Sequence, residues 1–130
     1  MPHPLMFSSD DPLLARVRRI ALALPEADEK VSHGRPAFFT QKVFCYFGGS
    51  VRVDGEWVAH DAAIMVRPDP DDDPALRQDQ RFWEPAYLGP SGWLGIDLTD
   101  DTDWQEIAEL FDASYRVTAP RRLVEELDAR

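Results

Sequence analysis

Cations and aromatic rings alternate between Glu29 and Asp54, where Lys30, Arg35, Lys42 and Arg52 occur without one acidic residue among them. Phe38, Phe39, Phe44, Tyr46 and Phe47 are interleaved with these charges. Such a pattern suits contact with phosphates through the cations and with bases through the rings. It is also the pattern of a strand region whose rings are core and whose cations form a solvated face. The sequence leaves both readings open. Arg16 and Arg19 extend the patch, so the candidate nucleic-acid surface comprises Arg16, Arg19, Lys30, Arg35, Lys42 and Arg52.

A second candidate centres on His33-Gly34-Arg35, where glycine lets a ligand approach the backbone and arginine offers a planar fork of donors. With Arg81, Tyr87 and Trp93, residues His33 and Arg35 would line a pocket for a small anionic molecule. Packing explains Trp93 equally well, and His33 reads alternatively as a turn histidine.

Catalytic and metal motifs are missing from the sequence. It has no nucleophile elbow, no phosphate-cradling glycine loop and no His-x-x-x-His pair. His3, His33 and His60 are scattered, and His60-Asp61 are adjacent strand residues that point to opposite faces. The lone Cys45 cannot form an internal disulfide and reads as a small core residue. Asp69 to Pro74 carries four carboxylates but lacks the glycine and distant glutamate of a calcium loop. No cofactor or metal is therefore expected, and the reading leans to a non-enzymatic protein while leaving open an enzyme whose site is assembled from distant residues.

The 130 residues suit a single domain, and 44 % hydrophobic with 29 % charged residues is a globular balance. A net charge of −10 repels polyanions at long range and so opposes DNA as a partner. It leaves an acidic protein-interaction adaptor as an alternative. The longest apolar stretches fall well short of a membrane span, and Met1 to Phe7 lacks the features of a secretory signal, which reads as no membrane and a cytoplasmic location.

The elements that must position these residues follow from periodicity and punctuation. Asp10, Asp11 and Pro12 predict a helix start, with Leu13, Leu14, Val17, Ile20, Ala21 and Leu24 as its apolar stripe and Pro25 as its stop. Strands are expected at Ala37 to Thr40 and Lys42 to Phe47, ended by Gly48-Gly49-Ser50. A hairpin around Asp54-Gly55 and a separate strand from Ala62 to Arg67 come next. Asp73 and Pro74 predict a short helix to about Gln80, and Gly92 to Leu98 a further strand. Asp101 or Thr102 is expected to cap a helix whose apolar face is Ile107, Ala108, Leu110, Phe111 and Tyr115. Pro120 starts a last helix.

The motifs Ser32-His33-Gly34-Arg35-Pro36-Ala37-Phe38, Arg81-Phe82, Tyr87-Leu88-Gly89-Pro90, Gly92-Trp93-Leu94-Gly95, Asp103-Trp104, Ser114-Tyr115-Arg116 and Ala119-Pro120-Arg121-Arg122-Leu123 together resemble the MmcQ/YjbR family. The resemblance implies an α+β domain of the double-wing type, an antiparallel sheet of about five strands backed by helices. It covers residues 10–130, with 1–9 as an N-terminal extension. It also implies DNA binding, a label that rests on architecture. The acidic character of Val51 to Ala59 and of the loop after Asp69 departs from what a DNA-facing wing requires.

Overall fold

Asp11 accepts a hydrogen bond from the Leu13 amide, and Pro12 occupies the first turn of helix α1 (Pro12–Ala21), as the sequence predicts. The computed structural model describes residues 4–130. Residues 1–3, the start of the expected extension and the place of His3, lie outside the described residues. Six strands follow the first helix or are interleaved with the others: β1 (Asp28–Ser32), β2 (Arg35–Phe39), β3 (Val43–Val53), β4 (Glu56–Val66), β5 (Phe82–Trp83) and β6 (Leu94–Asp97). They form one sheet in the order β1-β2-β3-β4-β6-β5, with every neighbouring pair antiparallel. Helices α2 (Asp73–Gln78), α3 (Trp104–Thr118) and α4 (Arg121–Asp128) complete the fold. The domain is α+β.

Two tight turns set the sheet's first half. His33 and Gly34 between β1 and β2, and Asp54 and Gly55 between β3 and β4, all have positive φ. That is the signature of the two-residue hairpin loop whose twist matches the strands it joins.

Several expected boundaries move. Gly48-Gly49-Ser50 does not end a strand, because β3 continues through it to Val53. The glycines instead accommodate a register shift: Phe47 pairs with Ile64 but Gly49 pairs with His60, so the surplus residues lie on β4. The separate strand expected from Ala62 is the second half of β4, which the long hairpin carries continuously from Glu56. Asp103, rather than Asp101 or Thr102, caps α3 by accepting from the Gln105 and Glu106 amides. Asp72 stands at the N-cap of α2, where Asp73 was expected, and makes no side-chain capping bond.

One face of the sheet is the core. Phe38, Phe44, Phe47, Ile64, Val66 and Ile96 pack against Leu14, Val17 and Ala21 of α1, Ile107, Phe111 and Tyr115 of α3, and Leu123 of α4. Two buried hydroxyls tie the layers. Ser114 Oγ donates to the Phe44 carbonyl at 2.5 Å and accepts from the Arg67 amide at 2.9 Å. Tyr115 donates to the Pro25 carbonyl at 2.6 Å, which pins the end of the α1 segment to α3. Ala37, Tyr46, Met65, Gly95 and Trp83 are successive cross-strand partners and face away from the helices. No helix of the described residues is long and apolar enough to cross a membrane.

Candidate functional site

Strand alternation puts Tyr46 and Met65 on the helix-free face, and there the sheet floors a cavity of about 470 Å³. Tyr46, Gly49, Ser50 and Met65 make the floor, and Ser32, His33, Arg35 and Met6 close one end. Trp57 and the loop Pro85 to Leu88 make the opposite wall. The loop is anchored by the Ala86 amide, which donates to the Ser50 carbonyl of β3 at 3.0 Å. At its tip the Leu88 amide donates to the Ala86 carbonyl at 2.8 Å while Tyr87 holds φ 67°. This is the bond pattern of the strained, positive-φ γ-turn, rare for a residue with a large side chain. The conformation presents the Tyr87 ring, 82 % exposed, beside Trp57, with ring centroids 5.6 Å apart.

Arg35 is the one permanently charged residue in this lining. Its side chain is 10 % exposed and crosses from β2 toward β4, where Nη2 donates to Asp61 at 3.0 Å. Asp61 is 70 % exposed, so the pair is solvated from one side only. Arg35 Nη1 is buried and has no hydrogen-bond partner among the described residues. Gly48 makes room for it, since a Cβ there would stand 2.3 Å from Nη1. A buried donor without an acceptor is costly, which leaves the guanidinium a standing preference for an acceptor group. Burial pushes the Tyr46 phenol above its ordinary range, with Ser32 partly offsetting the rise, so the floor is a neutral hydroxyl.

Of the pocket residues expected from sequence, the fold brings His33, Arg35 and Tyr87 to this cavity and leaves two outside it. Trp93 is buried against Tyr46, ring centroids 5.4 Å apart, and does not line the cavity. Arg81 is on the far side of the sheet's β5 edge, bidentate to Glu106 at 2.7 and 2.9 Å and bonded also to Asp79. Glu106 first and then Asp79 hold its guanidinium well above the ordinary arginine range. Tyr46, Met65 and Trp57 were missed. Alternation along β3 and β4 carries the signal for the first two, and an exposed Trp on a hairpin arm carries it for the third.

The six cations proposed for nucleic acid do not form one platform. Arg35 is buried and paired. Arg16 and Arg19 belong to α1 on the helical side, with Arg16 over the Trp104 ring at 4.2 Å. Lys30 lies over Phe39 at 4.6 Å and Arg52 over Trp57 at 4.8 Å. Lys42 and Arg52 stand at opposite ends of β3, about 30 Å apart at the usual strand rise. Three further arginines are paired with acids: Arg18 with Glu29, Arg121 with Glu125 and Arg122 with Glu26.

His60 and Asp61 diverge, as adjacent strand residues should. Each finds another partner: Asp61 takes Arg35, and His60 takes Asp97 of β6 at 2.7 Å. Cys45 is wholly buried, and burial raises its thiol well above the ordinary value, so it is not a nucleophile. No group of three or more His, Cys, Asp or Glu among the described residues could hold a metal ion.

Comparison with known proteins bears on the fold. A family model described as YjbR matches residues 22–117. A solved Pseudomonas syringae protein superposes with a TM-score of 0.58 at 12 % identity, covering 83 % of this chain and 98 % of its own. A Deinococcus radiodurans protein with a DUF419 domain does so with a TM-score of 0.58 at 17 % identity, covering 98 % of this chain and 91 % of its own. No curated protein matches the sequence.

Proposed function

Since the chain belongs to the YjbR family, whose sheet here leaves one face free of helices, we propose that it binds a small organic anion with a flat apolar body in the cavity on that face. The observation that carries this reading is the pairing of an aromatic and aliphatic cavity with a buried guanidinium whose Nη1 meets no acceptor among the described residues. A carboxylate or phosphate supplies that acceptor. The ring of the ligand would lie between Met65 and the Trp57–Tyr87 pair, which the strained loop holds in place at a cost of about 1–3 kcal/mol. Strain of this kind clusters at ligand clamps.

The test is a fluorescence titration with a panel of aromatic carboxylates and aryl phosphates, followed by thermal shift. Quenching that disappears in Trp57→Phe, with a raised Tm for the same compounds, is the expected result. No compound shifting either readout at millimolar concentration overturns the reading.

DNA binding is a second reading, favoured by one observation. Arg16, Arg19, Lys30, Lys42 and Arg52 have no carboxylate within ion-pair distance among the described residues, and Lys30 and Arg52 both lie on rings of the open face. The net charge of −10 opposes it. Duplex DNA titrated at low ionic strength, with binding that weakens steeply as salt rises, is the required behaviour. Silence at low salt removes this reading and leaves the first intact.

A further inference from the structure

The bulge at Gly48 brings an acid onto the cavity's one permanent cation. Between the pairs Phe47–Ile64 and Gly49–His60, β3 supplies a single residue and β4 supplies three, of which Asp61 is the first. Arg35 of β2 passes over Gly48 of β3, where a Cβ would also lie 3.3 Å from the Asp61 carbonyl, and so reaches β4. There Nη2 donates to Asp61 Oδ1 at 3.0 Å.

Only half of the guanidinium fork is engaged in this way. Asp61 takes one terminal nitrogen through one oxygen, while Nη1 meets no acceptor among the described residues. A bidentate pair would engage both. The Arg35–Asp61 pair therefore has no net charge and an incomplete set of hydrogen bonds. Among the described residues no carboxylate lines the cavity itself, and the titratable side chains beside Arg35 in the lining are His33, Tyr46 and Tyr87.

We propose, resting on the organic-anion reading of this cavity, that Asp61 is its specificity-determining residue, admitting singly charged anions such as carboxylates and turning away doubly charged phosphate monoesters. The open Nη1 attracts any anionic oxygen. Asp61 sets how much charge that group can carry. Beside the neutral Arg35–Asp61 pair, a carboxylate leaves one negative charge in a largely apolar cavity and a phosphate monoester leaves two, in a chain already at −10. An unmatched charge discriminates between ligands as a steric clash does. Since Asp61 is 70 % exposed, solvent damps its field, and the penalty on the second charge is about tenfold in affinity.

Three probes with one naphthalene body separate charge from shape: 2-naphthoate, 2-naphthalenesulfonate and 2-naphthyl phosphate. The sulfonate is tetrahedral like the phosphate and singly charged like the carboxylate. Calorimetric titration of the full chain at pH 8 and low ionic strength, where the phosphate carries two charges, should show it binding about tenfold more weakly than the sulfonate. This comparison needs no variant. Asp61→Asn keeps an oxygen for Arg35 and removes the charge, so the phosphate should gain the square of the factor that the sulfonate gains, and the gap should close. Asp101→Asn, an equal loss of charge outside the lining, should leave the gap open. A phosphate that binds the unaltered chain as tightly as the sulfonate overturns the proposal while the anion site stands, as does a gap unmoved by Asp61→Asn. Failure of all three probes to bind removes the anion site itself and this proposal with it.

Discussion

Gly95 and Trp83 pair across β6 and β5, and the indole occupies the space that any side chain at position 95 would need. Because the nearest atoms are ring carbons at 2.4 and 2.5 Å, held by Asp97 and His60, they cannot rotate away cheaply. Gly95→Ala should cost about 1–3 kcal/mol by overpacking. Urea denaturation checks the size. Near-ultraviolet circular dichroism checks that the Trp83 environment is what changed.

At the cavity mouth, Tyr87 combines a positive φ with an exposed ring. Tyr87→Gly relieves the backbone and Tyr87→Ala does not, while both delete the ring. The glycine variant should therefore be the more stable of the two by about 1 kcal/mol. Both should bind aromatic anions several-fold more weakly than the unaltered chain. Paired melting curves and the fluorescence titration separate the backbone effect from the ring effect.

Asp103 satisfies two amides at the start of α3, the helix that carries Ile107, Phe111 and Tyr115 into the core. Asp103→Ala should cost about 1 kcal/mol and Asp103→Asn much less, since asparagine also caps. Asp101→Ala should be close to neutral for stability, because Asp101 is exposed and does not cap the helix. Chemical denaturation of the three variants orders them.

Burial first, and the nearby Glu126 next, raise the Tyr115 phenol above its ordinary value of 10.0. A group raised on folding contributes stability that is full below its unfolded value and is lost as pH rises through its folded one. Stability should therefore hold to about pH 10 and fall above it. Tyr115→Phe should start lower, having lost the bond to the Pro25 carbonyl, and show a shallower alkaline decline. Melting temperatures from pH 8 to 11 provide the measurement.

Period and punctuation alone place most elements. The α1 stripe, the Asp54-Gly55 hairpin, the apolar face of α3 and the proline before α4 are local signals, because capping, turn geometry and one-sided burial act within a few residues. The glycines at 48 and 49 mislead for the same reason. Locally they read as a stop, while across the sheet they run opposite the surplus residues of β4, and the space over Gly48 seats Arg35.

Length, composition and the family motifs reach the α+β class. His33, Arg35 and Tyr87 are legible as ligand-type residues. What they meet is decided across the sheet: Arg35 with Asp61, His60 with Asp97, and Trp83 over Gly95 are separated by 26, 37 and 12 positions. Arg81 and two of the dispersed cations make the same point in reverse, Arg81 taken by Glu106 and Arg16 and Lys30 lying over the Trp104 and Phe39 rings. Pairing of that kind depends on strand order and register, which are set by the packing of the whole sheet and not by any one segment.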